Sequence, residues 1–364
     1  MISVSICSPS RAIADQWADL AGRASSNVFM DPAALTAASD MNFAKVQMLL
    51  AWEEDASPAR LVGVWALQMR RIAPFWPVLL EALPYNYAFL SSPVVDPAFV
   101  TEVIPAFFAA VARSALPNVL SLREFDATSP SYAAVVAAMA ALGRVPLLLA
   151  QDQRPVVSRE AGIKRSGSTR KKLRQDWNRL VALGFVDLVN DRAADAVQPA
   201  FEAFLALEAA SWKGKKGTAL LSDPEDAAFV RRLIGDLAER GHASVALLRI
   251  DGKVIAAQVV LYGGTTAYTW KTAYDAKYSR YSPGALLVDK LTEMLFSAPG
   301  IDAIDSCSDG SGFMAQLWSG RRPMVDLLID VGARGSVLFA AEASRRRAYY
   351  WLRALRNRLR SGMR

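Results

Sequence analysis

The strongest constraint on this chain is an order of elements that occurs twice. In the first half, "KVQMLLAWEED", a turn at "ASPAR" and "LVGVWALQMRRI" read as a hairpin, and "YNYAFLSSPVV" follows as a strand. Asp96-Pro97 then opens the apolar-periodic "AFVTEVIPAFFAAVARSA", a helix in spite of Pro105. "NVLSLREFD" is a strand, "SPSYAAVVAAMAALG" a helix closed by Gly143, and "VPLLLAQD" a strand. The second half repeats this order. "ASVALLRIDGKVIAAQVVLYGG" is a hairpin turning at Asp251-Gly252, and "TTAYTWKTAYD" the next strand. "SPGALLVDKLTEMLFSAPG" is a helix, "IDAIDSCSD" a strand, "GFMAQLW" a short helix and "PMVDLLIDVG" a strand. The repeat rests on pattern, because the two halves share no visible identity.

A length of 364 residues agrees with two domains rather than one core. With 52% hydrophobic and 21% charged residues, the composition is that of an ordinary globular protein. Two cysteines, Cys7 and Cys307, make neither a disulfide framework nor a Cys-rich metal site, and a single histidine, His242, excludes His-cluster metal chemistry. The start "MISVSICSPSR" lacks the basic and apolar regions of a signal peptide. The longest apolar runs last about ten residues, short of a membrane span. The expected location is cytoplasmic.

The net charge of +7 is unevenly placed. Residues 345–364 contain eight arginines and no acid; the remaining 34 basic and 35 acidic residues nearly balance. This tail, "AEASRRRAYYWLRALRNRLRSGMR", reads as a helix mixing Tyr350, Trp351, Leu352, Leu355 and Leu359 with arginines. Three readings stand open: it lies on anionic lipid at the inner membrane, docks on the protein's own core, or binds a phosphate-bearing ligand. The contact residues would be Arg345, Arg346, Arg347, Arg353 and Arg356.

Between the halves, "SREAGIKRSGSTRKKLRQDWNRLVALG" is punctuated by Gly and Ser and carries Lys164, Arg165, Arg170, Lys171, Lys172 and Arg174. It is either a solvated linker and helix face or one wall of a groove for an anion. Further on, "YSRYSPGALL" runs from a strand into a helix. Pro283 suits a first helical position, Ser282 suits the N-cap, and Gly284 leaves the first turn bare. Free amides at a helix start attract anions, and Arg280 adds charge. The alternative is a purely structural cap.

Hairpin, strand, anion-binding turn, helix and diverging strand together resemble the core of GNAT N-acetyltransferases. The family turn is Q/R-x-x-G-x-G/A; Arg280 and Ala285 fit its ends, while Pro283 takes the first glycine position. "LEAASWKGKKGTAL", "RKKLRQDWNRLVALG" and "YSRYSPGALL" as a set resemble the CelD/BcsL type of acetyltransferase of bacterial cellulose and exopolysaccharide biosynthesis. That type is related to the FemAB peptidyltransferases, which carry two GNAT-like halves. Relatives carry D-F-x-x-G-D-x-x-Y-K; here "DSCSDGSGFMAQLW" keeps Asp305 but has Phe313 and Met314 where Tyr and Lys would fall.

The resemblance implies an α/β fold of two tandem GNAT-like domains, 1–158 and 159–335, each a mixed, mostly antiparallel sheet flanked by helices, plus a basic C-terminal helix, 336–364. It implies an acetyltransferase moving acetyl from acetyl-CoA to the amine of an amino sugar or polysaccharide precursor. The cofactor would lie on Arg280, Ser282, Gly284, Ala285 and Leu286. Such a site aligns reactants and moves a proton without a nucleophilic side chain. Candidate catalytic groups are Asp275 and Asp305 at strand ends, each otherwise a cap or turn acid, with Tyr274 as acid. Trp212, Lys213, Lys271 and Tyr268 are candidate acceptor contacts, each otherwise a packing or solvated residue. Two alternatives remain. One is a catalytically degenerate effector binding cyclic di-GMP, by association with exopolysaccharide control, or anionic membrane through the tail. The other is a tRNA-dependent FemAB-like transferase, against which the near-neutral body argues.

Overall fold

The structure, a computed structural model, describes residues 1–71, 74–332 and 335–361, apart from the side chains of Tyr350, Arg353, Ala354 and residues 356–361. Arg353 and Arg356 of the expected tail contacts therefore lie outside the described residues. In chain order the first half contains β1 (Ile2–Cys7), α1 (Ala14–Arg23), α2 (Pro32–Asp40), β2 (Val46–Glu53), β3 (Arg60–Arg71), β4 (Val78–Glu81), β5 (Val94–Val95), α3 (Val100–Arg113), β6 (Val119–Asp126), α4 (Pro130–Ala141) and β7 (Leu147–Ser158). Then follow α5 (Gly167–Val181), β8 (Val186–Val189), α6 (Ala194–Ala210), α7 (Trp212–Lys215), α8 (Pro224–Ala238), β9 (Ala243–Ile250), β10 (Lys253–Gly263), β11 (Thr266–Tyr274), α9 (Pro283–Ser297), β12 (Ala303–Asp305), α10 (Met314–Leu317), β13 (Gly320–Asp330) and α11 (Val337–Ser361). Strand, helices, three-strand meander, helix, strand, helix, strand: the order recurs from β1 to β7 and from β8 to β13.

Contacts divide the chain into two compact units. One holds residues 1–30, 44–152 and 323–364; the other holds 31–43 and 153–322. The expected boundaries at 158 and 335 differ from these because the two closing strands change places. β13, last strand of the second half, pairs antiparallel with β6 (Met324↔Asp126 to Asp330↔Val119). β7, last strand of the first half, pairs antiparallel with β12 through Val156, Val157 and Ser158.

The first unit runs β1, β2, β3, β4 antiparallel, with β4 then parallel to β6 over Leu80↔Leu120 and Glu81↔Ser121. The expected strand at "YNYAFLSSPVV" is mostly irregular; only Val94 and Val95 pair, with β3, and the strand position belongs to the earlier "VLLE". α3 carries Pro105 inside it, as expected. α11 begins against this unit, where Leu338, Phe339 and Ala343 pack with Val119, Leu328, Leu147 and Leu149. Its buried Glu342 receives Arg345 (2.7 and 2.6 Å), Arg346 (2.6 Å) and Trp76 Nε1 (3.2 Å). Of the tail arginines expected at a ligand, Arg345 and Arg346 are thus fastened to the protein itself, because a buried carboxylate needs paired charge.

The second unit has the same plan. β8, β9, β10 and β11 are antiparallel neighbours, and β11 is parallel to β12. Asp251 (φ 48°) and Gly252 (φ 79°) make the tight turn between β9 and β10. Leu286, Leu287, Leu291 and Leu295 put one face of α9 into a core with Leu248, Val260, Tyr262 and Trp318. Each unit is a mixed, mostly antiparallel sheet flanked by helices.

Candidate functional site

The site grows from a divergence of two strands in the second unit. β11 and β12 pair only over Thr266–Tyr268 against Ala303–Asp305. β12 then stops, while β11 continues to Tyr274 with β10 as its one strand neighbour among the described residues. A parallel pair that separates leaves exposed backbone along a wedge.

At the mouth of that divergence the ladder is irregular. Val259 faces Lys271 and Val260 faces Thr269, so Trp270 is the extra residue of a bulge. Buried Gln258 bridges the break: its Nε2 donates to Val259 O (2.8 Å) and to Lys271 O (3.0 Å), and its Oε1 accepts from Thr272 Oγ1.

Beyond the bulge, Thr272 and Tyr274 face α9. A Cβ on Gly284 would lie 3.5 Å from Thr272 Cγ2 and 3.4 Å from Tyr274 Cδ1, so the glycine leaves a narrow gap there. The first turn of α9 differs from expectation in one respect. Ser282 sits at the cap with left-handed backbone (φ 52°, ψ 47°) and makes no side-chain cap. That backbone, reached at the end of the 3-10 turn Ala276–Tyr281, carries Oγ away from the first-turn amides, and it accepts instead from Lys172 Nζ at 2.9 Å. Pro283 has no N–H, and the amides of Ala285 and Leu286 turn back to Ser282 O (3.0 and 3.1 Å). Gly284 N–H is the one first-turn amide with no intramolecular acceptor among the described residues. Pro283, Gly284 and Leu286 are buried and Ser282 and Ala285 half-buried, so the opening is slender.

Lys172 comes from α5, the basic helix, which Arg165 fastens to α9 through buried Asp289 and through Glu293 (3.6 Å). Lys172 also pairs with Asp176. Arg280 donates to the Tyr281 hydroxyl (2.5 Å) and lies over that ring, at the same end of α9. Lys172 thus touches Ser282 at the start of α9, and Arg280 stands two residues before that serine.

The opposite side of β11 carries Lys271. Burial pushes its ammonium down to about 8 from 10.5, against the opposing pull of the Glu208 carboxylate. Glu208, itself buried, accepts from Lys213 Nζ (2.8 Å) and Leu220 N (2.9 Å). Trp212 is exposed next to it, with Lys216 Nζ 4.9 Å from its ring centre. Trp212, Lys213 and Lys271 therefore belong to one neighbourhood, around a carboxylate that sequence reasoning overlooked. Its signal was an acid on the apolar stripe Phe201, Phe204, Leu205, Glu208 of α6.

The remaining candidates stand elsewhere. Asp275 accepts from Lys277 N (2.9 Å), caps the 3-10 turn and pairs with Lys253 (3.4 Å). Asp305 is fully buried, accepting from Cys307 N (2.8 Å) and facing Arg322 (2.9 Å) and Arg154 (3.5 Å). Both carboxylates have structural partners. Tyr268 is buried opposite Asp305, where the strands still pair. Tyr274, beside Gly284, borders the anion end. It is four residues past the bulge, about 13 Å along the strand.

The equivalent helix start in the first unit is closed to anions. Asp96 caps the 3-10 turn Pro97–Phe99 that leads into α3, accepting from Ala98 N (3.0 Å) and from Arg23 Nε (2.6 Å), so a carboxylate already stands at this entry.

Residues 167–312 match the family described as "Acetyltransferase (GNAT) domain". That segment holds the divergent strands, the bulge and α9, and it is an acyltransferase domain. Among solved structures, FemX superposes with a TM-score of 0.61 at 9% identity, over 90% of this chain and 96% of that one. L-PGS from Bacillus licheniformis gives 0.56 at 12%, over 93% and 97%. A C-terminal domain assigned to a lysylphosphatidylglycerol synthetase of Agrobacterium fabrum gives 0.56 at 13%, over 90% and 93%. These likenesses span both units and show the fold: two tandem GNAT-like units. No curated protein sequence matches the chain.

Proposed function

We propose that the second unit is an acyl-CoA-dependent N-acyltransferase, with acetyl-CoA as donor and an amine of an amino sugar or polysaccharide precursor as acceptor, in the manner of the CelD/BcsL type. The observation that carries this reading is the start of α9, where Lys172 Nζ reaches Ser282 Oγ and Gly284 leaves a narrow gap beside Thr272 and Tyr274 of β11. Arg280 adds charge at that end, and Ala285 and Leu286 form the wall. Acetyl-CoA supplies the thioester carbon that the amine attacks.

The chain's own residues then divide the work along β11. Tyr274, beside Gly284, borders the anion end. Lys271, next to the bulge, stands at the reacting end with an ammonium that is partly neutral near pH 8. A base is most effective when its pKa lies near the working pH. The new C–N bond forms as C–S breaks; Lys271 Nζ takes the proton leaving the amine and returns it to the sulfur. Trp212 offers a ring face for a sugar, and Lys213 is held in place by Glu208.

The test is release of free thiol from acetyl-CoA across a panel of amino sugars and nucleotide sugars, with RNase-treated protein. Amine-dependent thiol release supports the reading. Release only with charged tRNA, or with no amine, contradicts it.

A further inference from the structure

The tail helix α11 has two different faces. Near its start, Leu338, Phe339, Glu342 and Ala343 face the first unit, and Arg345 and Arg346 close over Glu342. One turn later the apolar residues lie elsewhere. At 100° per residue, Ala348, Trp351, Leu352 and Leu355 fall within one stripe about 100° wide, opposite the docked face. The described members of this stripe are exposed: Trp351 65%, Leu352 57% and Leu355 42%. Arg347 flanks one edge of this stripe, and the sequence from there to residue 364 is rich in arginine.

We propose that the distal part of α11 is a docking surface for an anionic lipid bilayer. The helix would lie in the interface with Trp351, Leu352 and Leu355 inserted and the arginines among the head groups. Charge selects this occupant: residues 345–364 have eight arginines and no acid, while the rest of the chain is near neutral. A second copy would bring two arginine-edged stripes together, which like charge opposes. A nucleic acid would engage the arginines and leave the apolar stripe in water. Anionic head groups and acyl chains satisfy both halves of the pattern. Among the described residues no helix is long and apolar enough to cross a membrane, so the contact is interfacial.

The test is co-sedimentation of the full chain with vesicles at physiological ionic strength. One set is phosphatidylcholine alone; in the other a third of the lipid is phosphatidylglycerol. Wild-type protein is expected to sediment with the anionic vesicles and remain in solution with the neutral ones. The double variant Trp351→Glu, Leu355→Glu should lower partitioning at least about tenfold, with an unchanged melting temperature and unchanged thiol release. Because both substituted residues are exposed, folding is preserved. Equal partitioning of variant and wild type, equal sedimentation with both vesicle types, or none with either, overturns the proposal.

Discussion

Lys172 Nζ donates to Ser282 Oγ across 2.9 Å, bringing a cation from the basic helix α5 to the first turn of α9. The contact brings a segment readable as a linker to the helix start where the proposed diphosphate would lie. Replacing Lys172 with Met removes that cation and leaves the α5–α9 ion pairs of Arg165 in place. We expect CoA affinity to fall about tenfold, with a shallower dependence on salt than wild type. Calorimetric titration at low and high salt checks both.

Gln258 predicts a stability effect at the bulge. It is buried and donates to two carbonyls across the broken ladder. Gln258→Leu leaves Val259 O and Lys271 O without those donors, and a buried unmet acceptor costs about 1–3 kcal/mol. Urea unfolding should show a loss of this size, with thiol release falling further as Lys271 loses its fixed backbone.

Lys271 sets stability and rate against one another. Unfolded, its ammonium holds the proton to about 10.5; folded, it gives it up near 8, because burial disfavours the charge. The unfolded state therefore binds more protons between those values, and stability rises with pH through that window. Below pH 8 the penalty is fully present. Lys271→Met should stabilise the protein near neutrality by about 1–3 kcal/mol and remove the rise between pH 8 and 10.5. It should also abolish the increase of acyl transfer through pH 8. Unfolding curves and pH–rate profiles of the two proteins decide this.

Asp305 distinguishes a structural acid from a catalytic one. Its carboxylate balances Arg154 and Arg322 in a fully buried cluster. Removing one partner of such a set costs about 3–5 kcal/mol. Asp305→Asn should lower stability by roughly that amount, read by urea denaturation. An unchanged stability with a lost rate would instead mark it as the base.

Much of the fold was legible in the chain. Period-two and period-3.6 runs gave the repeated order, and Asp251-Gly252 gave the hairpin turn. The exchange of β7 and β13 was not legible, since a strand's partner is fixed by tertiary pairing that its own alternation does not encode. "YNYAFLSSPVV" misled for a related reason: its aromatic and β-branched residues favour strand, yet only Val94 and Val95 find a neighbour. At the site, Pro283 and Gly284 marked the helix start correctly. The left-handed Ser282 did not show, because serine at that position normally caps. Asp275 and Asp305 were visible as strand-end acids, but the residues that neutralise them come from distant parts of the sequence.

The central claim is that the start of α9 holds the diphosphate of an acyl-CoA, and titration of CoA into wild-type protein and Gly284→Asp tests it most directly. A carboxylate there would fill the gap beside Thr272 and Tyr274 and set a negative charge on the amide meant for the ligand. The account predicts saturable binding to wild type and loss of at least about a hundredfold in the variant, with Gly284→Ala in between. Equal CoA affinity in wild type and Gly284→Asp, both folded, would contradict it.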